Sequence, residues 1–151
     1  MHFFNRALAV SLFIFISIFN FSAAEEFQPF QGEVNTNNIN IRSDSTASAE
    51  IICQVNRGDK VEVVFQLYDW YKIMLPKSAP SFVKKELAAP VNLKTATVLK
   101  DSVNIRLRPD TVSVILGKLN KDEVVNILEE KEGWYKIEPV ADSFGWIHKS
   151  F

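Results

Sequence analysis

Trp70-Tyr71-Lys72-Ile73 returns as Trp134-Tyr135-Lys136-Ile137, an offset of 134 − 70 = 64 residues. The same offset carries Asn40-Ile41-Arg42 onto Asn104-Ile105-Arg106, Val34 onto Val98, Ile51 onto Ile115 and Lys85 onto Lys149. No gap is needed between residues 32–87 and residues 96–151. Ordered matches at one ungapped offset mean an internal duplication. The period is longer than solenoid repeats, which run to about 50 residues, so each copy is expected to be a small domain rather than one turn or blade.

Within the repeated stretch, side chains alternate at the period of a strand. Tyr71, Ile73 and Leu75 are expected to face the core, and Trp70, Lys72 and Met74 the other side. The second copy repeats this, with Tyr135 and Ile137 inward and Trp134 and Lys136 outward. Working outward, Ile39 and Ile41 alternate with Asn40 and Arg42, and Val61, Val63 and Phe65 alternate with Glu62 and Gln66. Asn56-Arg57-Gly58-Asp59 is a turn signal, residues 43–50 form a polar loop, and Phe82-Val83 starts a last short strand. No long stretch after the first 24 residues has helical period. Short strands at regular spacing predict an all-β chain of two tandem barrels. Residues 88–95, with Pro90 inside, are expected to be an extended linker.

The chain opens as an export signal. A weakly basic start (His2, Arg6) precedes an apolar run from Ala7 to Phe19, and Ser22-Ala23-Ala24 offers a cleavage site, so residues 1–24 are expected to be removed. The alternative is an uncleaved anchor, for which the apolar run is short against the ~20 residues of a membrane span. Residues 25–31 then form a connector whose Phe27 and Phe30 could pack on the first copy. The remaining chain keeps all 18 acidic residues and loses Arg6 from 17 bases, giving 16 − 18 = −2. That balance argues against nucleic acid or an anionic membrane as the main partner. A single cysteine, Cys53, cannot make an internal disulfide, and its match to Gly117 within an apolar run favours burial.

These pieces together resemble the bacterial SH3-like domain, present twice behind a signal peptide. The resemblance rests on Asn104-Ile105-Arg106, Ile115-Leu116-Gly117, Trp134-Tyr135-Lys136-Ile137 and Gly145-Trp146-Ile147-His148. The first copy departs from the pattern: Cys53 stands for the glycine, Ser81-Phe82 for Gly-Trp, and Asp44-Ser45 lacks a match to Pro109. The resemblance implies barrels of five or six strands in an exported protein, acting as a wall-targeting or protein-binding module.

Trp134, Trp146 and Trp70 are the leading ligand candidates, because an indole beside polar loops can stack on a sugar face or a proline ring. The competing role is to seal the ends of a very small barrel. Tyr68, in the turn before Trp70, is a further candidate, with an ordinary turn aromatic as the alternative. Arg106 and Lys136 would supply polar selection, a guanidinium being suited to a carboxylate; for Arg106 and Arg42 the favoured role is to tie down their own loops, as a repeated Arg after Asn in a barrel strand more often does. Asn40 and Asn104 are expected to satisfy turn backbone.

Catalysis has little support. His148 is the only histidine after residue 24, a pairing with Cys53 would join two copies, and no serine sits in a nucleophile motif. No clustered His and Cys predict a metal, and no cofactor is expected. The expected function is a non-catalytic exported binding module, periplasmic or extracellular, whose partner is peptidoglycan or another envelope ligand. The alternative is an adaptor or regulator of an envelope protein.

Overall fold

The structure, a computed structural model, describes residues 26–151; the expected export signal and the expected cleavage after Ala24 lie outside the described residues. In chain order the strands are β1 (Phe30–Glu33), β2 (Ile39–Arg42), β3 (Ile51–Val55), β4 (Lys60–Leu67), β5 (Trp70–Met74) and β6 (Ser81–Lys84). A one-turn 3-10 helix, Lys85–Leu87, leads into β7 (Ala88–Asn92). Then come β8 (Thr95–Val98), β9 (Val103–Arg106), β10 (Ile115–Leu119), β11 (Val124–Lys131), β12 (Trp134–Ile137) and β13 (Phe144–His148). The chain is all-β, as two tandem SH3-like units require.

The strands form a six-stranded sheet, β1-β4-β5-β13-β2-β3, and a seven-stranded sheet, β10-β9-β6-β12-β11-β8-β7. The hydrogen-bond ladder runs from one outer strand to the other without joining them, so these are open sheets rather than the closed barrels expected. The sheets also do not follow the sequence copies. β6, from the first copy, lies between β9 and β12 of the second, while β13, from the second, lies between β2 and β5 of the first. The last strands are exchanged.

Two positions show why the exchanged pairing is the better packed one. A Cβ at Gly145 would stand 2.5 Å from Ile41 Cγ2 and 3.0 Å from Leu75 Cδ2. Its repeat partner Ser81 is fully buried in the other sheet, opposite Ile137, at the register Gly145 holds opposite Ile73. Were each last strand to return to its own copy, Ser81 would carry its Cβ into that crowded place. The Leu75 N–H also donates to the Ser143 carbonyl (3.0 Å) where β13 crosses over.

The alternation read in the sequence sets the core. Ile41, Val63 and Ile73 are buried in the first copy, and Ile105, Val125, Tyr135 and Ile137 in the second, with Val83 and Ile147 supplied by the exchanged strands. Tyr71 is half-buried and meets the Phe30 ring edge-on at 5.6 Å, and Phe27 meets Phe65 at 6.2 Å. The connector thus packs on the first copy, and its last residues enter β1. Residues 88–95 are more than an extended link. Ala88–Asn92 pairs with β8 as a hairpin, and Pro90 is tolerated because β7 is an outer strand with one side free.

Gly117 comes so close to the segment entering β13 that it bridges to Ser143, and an added Cβ would lie 2.1 Å from the Asp142 carbonyl oxygen. The matching Cys53 is half-buried against the core and hydrogen-bonds Ser78. Burial is the larger effect on its thiol and raises the pKa from 9.0 to about 11; the Ser78 bond opposes it. Two outcomes are expected. Folded protein at pH 8 should react with iodoacetamide much more slowly than urea-unfolded protein, and equal rates would contradict the burial. Because the folded state holds this proton more tightly, its stabilising effect is complete below pH 9 and is lost as pH rises towards 11.

Candidate functional site

Two cavities of about 370 Å³ and 320 Å³ occupy matching places on the two copies. The first is lined by Asn38, Ile39, Asn40, Arg42, Ala47 and Trp70 of the first copy, and by His148, Ser150 and Phe151 of the second. The second is lined by Ser102, Val103, Asn104, Arg106, Thr111 and Trp134 of the second copy, with Lys100 and Asp101 beside them, and by Lys84 and Leu87 of the first. At the 64-residue offset, eight positions of one coincide with eight of the other. They are 38, 39, 40, 42, 47, 70, 148 and 151 of the first against 102, 103, 104, 106, 111, 134, 84 and 87 of the second. Each cavity is made jointly by both copies, because the exchanged strand delivers one wall.

Strand register builds the wall. His148 lies directly opposite Trp70, and Lys84 directly opposite Trp134. Cross-strand neighbours on one face are close enough for their side chains to meet. The Trp70 and His148 rings meet edge-on at 5.3 Å, and the Phe151 ring lies 5.9 Å from His148. His148 Nδ1 is 2.8 Å from Ser150 Oγ, which holds the C-terminal turn against the cavity. On the opposite side, Arg42 Nη1 donates to the Ala49 carbonyl (2.8 Å) and Arg106 Nη1 to the Ser113 carbonyl (2.7 Å). Each guanidinium therefore ties down its own polar loop while lining the cavity with its remaining donors.

The residues singled out in the sequence fall in different places. Trp70, Trp134 and Arg106 line the cavities. Trp134 was expected to be an exposed platform, yet only 7% of it is exposed. Leu87 and residues 100–103 stand around it, so it forms a floor. Trp146 is half-buried on β13 opposite Arg42 and Lys72, outside both cavity linings. Lys136 is half-buried opposite Phe82 and Glu129. Tyr68 is 85% exposed at the tip of the β4–β5 turn. Asn40 does not serve turn backbone; its Oδ1 accepts from Gln54 Nε2 (2.9 Å). Sequence reasoning missed His148, Phe151 and Lys84 as pocket walls. Only a pairing between copies brings them there.

Cys53 and His148 face different partners, Ser78 and the Trp70–Ser150 pair, and so form no dyad. No group of three or more His, Cys, Asp or Glu among the described residues is placed to hold a metal ion. Among the described residues no helix is long and apolar enough to cross a membrane.

The family described as bacterial SH3 domain matches residues 37–84 and 101–151, more than half of the chain and one match per copy. The chain belongs to this family. The bacterial SH3 copies are also similar to "Putative N-acetylmuramoyl-L-alanine amidase YrvJ" of Bacillus subtilis (strain 168), at 24% identity over 132 residues. That alignment spans 80% of this chain but 25% of the relative, so the chain spans about a quarter of that relative's length. No solved structure matches the chain. In both bacterial SH3 copies the aromatic floor, the loop-tying arginine and the asparagine two residues before it recur together, which sets the two cavities apart from the other surface depressions.

Proposed function

We propose that this protein is a non-catalytic binding module for a cell-envelope component, with peptidoglycan as the ligand, and that it acts outside the cytoplasm. The observation that carries this reading is the pair of matching cavities, each with a tryptophan floor or wall beside a positioned guanidinium. Indole faces suit sugar rings and aliphatic segments, while guanidinium and asparagine donors suit carboxylates and amides. The wall polymer offers all of these groups side by side. Membership in the bacterial SH3 family and the likeness to part of a protein named as a muramoyl-alanine amidase support the same direction. Trp146 and Tyr68 would then extend the contact surface on the sheet that carries Trp70, and Lys136 that on the sheet that carries Trp134.

The test is co-sedimentation of residues 25–151 with purified peptidoglycan sacculi over a salt series. Pelleting that survives high salt, and falls at least fivefold with Trp70→Ala or Phe151→Ala in a folded protein, is expected. Pelleting that disappears as salt rises would mean ionic adhesion alone and would sink the reading. Trp134→Ala is a poor first probe, since truncating so covered a ring costs about 3–5 kcal/mol of stability.

A second reading, an adaptor for an envelope protein, draws on an apolar patch beside the β7–β8 hairpin. Leu93 is almost fully exposed there, and Val91 and Leu128 are exposed as well. A chain that stays in the supernatant with sacculi but saturably binds one envelope protein would favour it.

A further inference from the structure

The exchanged strands place one residue of each copy directly opposite the tryptophan of the other, and these two residue types differ in formal charge: Lys84 opposite Trp134, His148 opposite Trp70. Their surroundings differ in the same sense. The Trp134 cavity holds three cations, Lys84, Lys100 and Arg106, and one acid, Asp101, for a net charge of 3 − 1 = +2. Asp101 is partly occupied, its Oδ1 accepting the Lys121 N–H (3.0 Å). Lys84 reaches Glu86 (2.6 Å), but both are exposed, the kind of pair with which a ligand's charge competes readily. Among the described residues neither Lys100 nor Arg106 belongs to an ion pair. Among its side chains the Trp70 cavity has Arg42 as the one standing charge, and it is otherwise walled by Trp70, His148 and Phe151 with asparagine and serine.

We infer that Lys84 and His148 are specificity-determining residues, each acting in the other copy's cavity, and that the two cavities take different chemical groups. The Trp134 cavity takes a carboxylate, seated between Lys84, Lys100 and the free donors of Arg106 over the indole. The Trp70 cavity takes an uncharged ring or amide against its aromatic wall. This rests on the reading of the cavities as ligand sites, and it assigns a ligand class to each. Charge-assisted contacts are roughly twice as strong as neutral ones, so even one added cation separates an acid from its amide severalfold.

The experiment follows the Trp70 and Trp134 indole N–H signals of residues 25–151 by NMR at pH 8. The probes are a short D-alanine peptide with a free C-terminal carboxylate, the same peptide as its amide, and phenyl phosphate. The acid is expected to move the Trp134 signal and to bind there about five to ten times more tightly than the amide. At Trp70 acid and amide should bind alike. Lys84→His should remove most of the preference at Trp134, Lys100→Gln should weaken acid binding there about threefold, and His148→Lys should create a preference at Trp70. Equal binding of acid and amide at Trp134 overturns the inference, as does a preference that survives Lys84→His. Tighter binding of phenyl phosphate than of the peptide acid overturns the carboxylate assignment. The sacculus assay separates this from the parent reading. Salt-resistant pelleting without an acid preference sinks the inference alone, whereas an acid preference without pelleting sinks the peptidoglycan reading alone.

Discussion

A chain ending at Ser143 is expected to lose the native structure of its first copy, some seventy residues away in sequence, as well as its own last strand. β13 is not an outer strand of the sheet it joins. It pairs with β5 from Phe144↔Met74 to His148↔Trp70 and with β2 at Trp146↔Arg42. Removing it divides the first sheet into β1-β4-β5 and β2-β3. Ile147, buried to 3% exposure, leaves a cavity that by itself costs about 2–5 kcal/mol. The backbone groups of β2 and β5 would also lose their partners inside the sheet. The total loss rivals the ~5–15 kcal/mol that holds a whole domain together. Amide hydrogen exchange at Ile41 and Ile73 is the measurement, with protection expected to fall to near the unfolded level. Adding a peptide of residues 144–151 in trans should restore part of it. Native-like protection at Ile41 without β13 would show that the first copy does not need the exchanged strand.

The second large effect is expected from one methyl group. Gly117→Ala places a Cβ 2.1 Å from the Asp142 carbonyl oxygen, 2.9 Å from its carbon and 3.0 Å from Ser143 Cα. All three are backbone atoms, so no side chain can rotate away and the segment leading into β13 must shift. Overpacking typically costs about 1–3 kcal/mol, and a contact this short against rigid backbone should reach about 3 kcal/mol or more. Since that segment carries the crossover, the Leu75–Ser143 bond should weaken with it. At the matching position of the first copy the chain already carries Cys53, with its thiol on Ser78, and Cys53→Ala should cost less than about 1.5 kcal/mol. Urea unfolding of the two variants makes the comparison. A Gly117→Ala midpoint indistinguishable from the parent protein's would contradict the close approach.

Much of the site was visible in the chain. The recurrence of Trp-Tyr-Lys-Ile and Asn-Ile-Arg located Trp70, Trp134, Arg42 and Arg106, all of which line the cavities. The favoured role for the arginines, tying their own loops, is the bond each makes to the carbonyl seven residues on. What did not show was how far Trp134 would be covered, because alternation gives the side of a strand a residue occupies and says nothing of what lies over that side. Nothing in the sequence around His148 or Lys84 marks either as a ligand-facing residue. Both become cavity walls through pairings that no local pattern contains.

By itself, then, the sequence determined the all-β class, the duplication, the alternation that chooses core from surface, and the turn at Asn56–Asp59. These follow from a few neighbouring residues, and the chain carries them wherever it goes. Only the tertiary structure decided which sheet receives Ser81–Lys84 and which receives Phe144–His148. The two strands have the same length class and the same alternation, so each could satisfy the backbone of either sheet. The choice falls to contacts between residues far apart: a glycine where Ile41 and Leu75 leave no room for a Cβ, and a serine in the corresponding place of the other sheet.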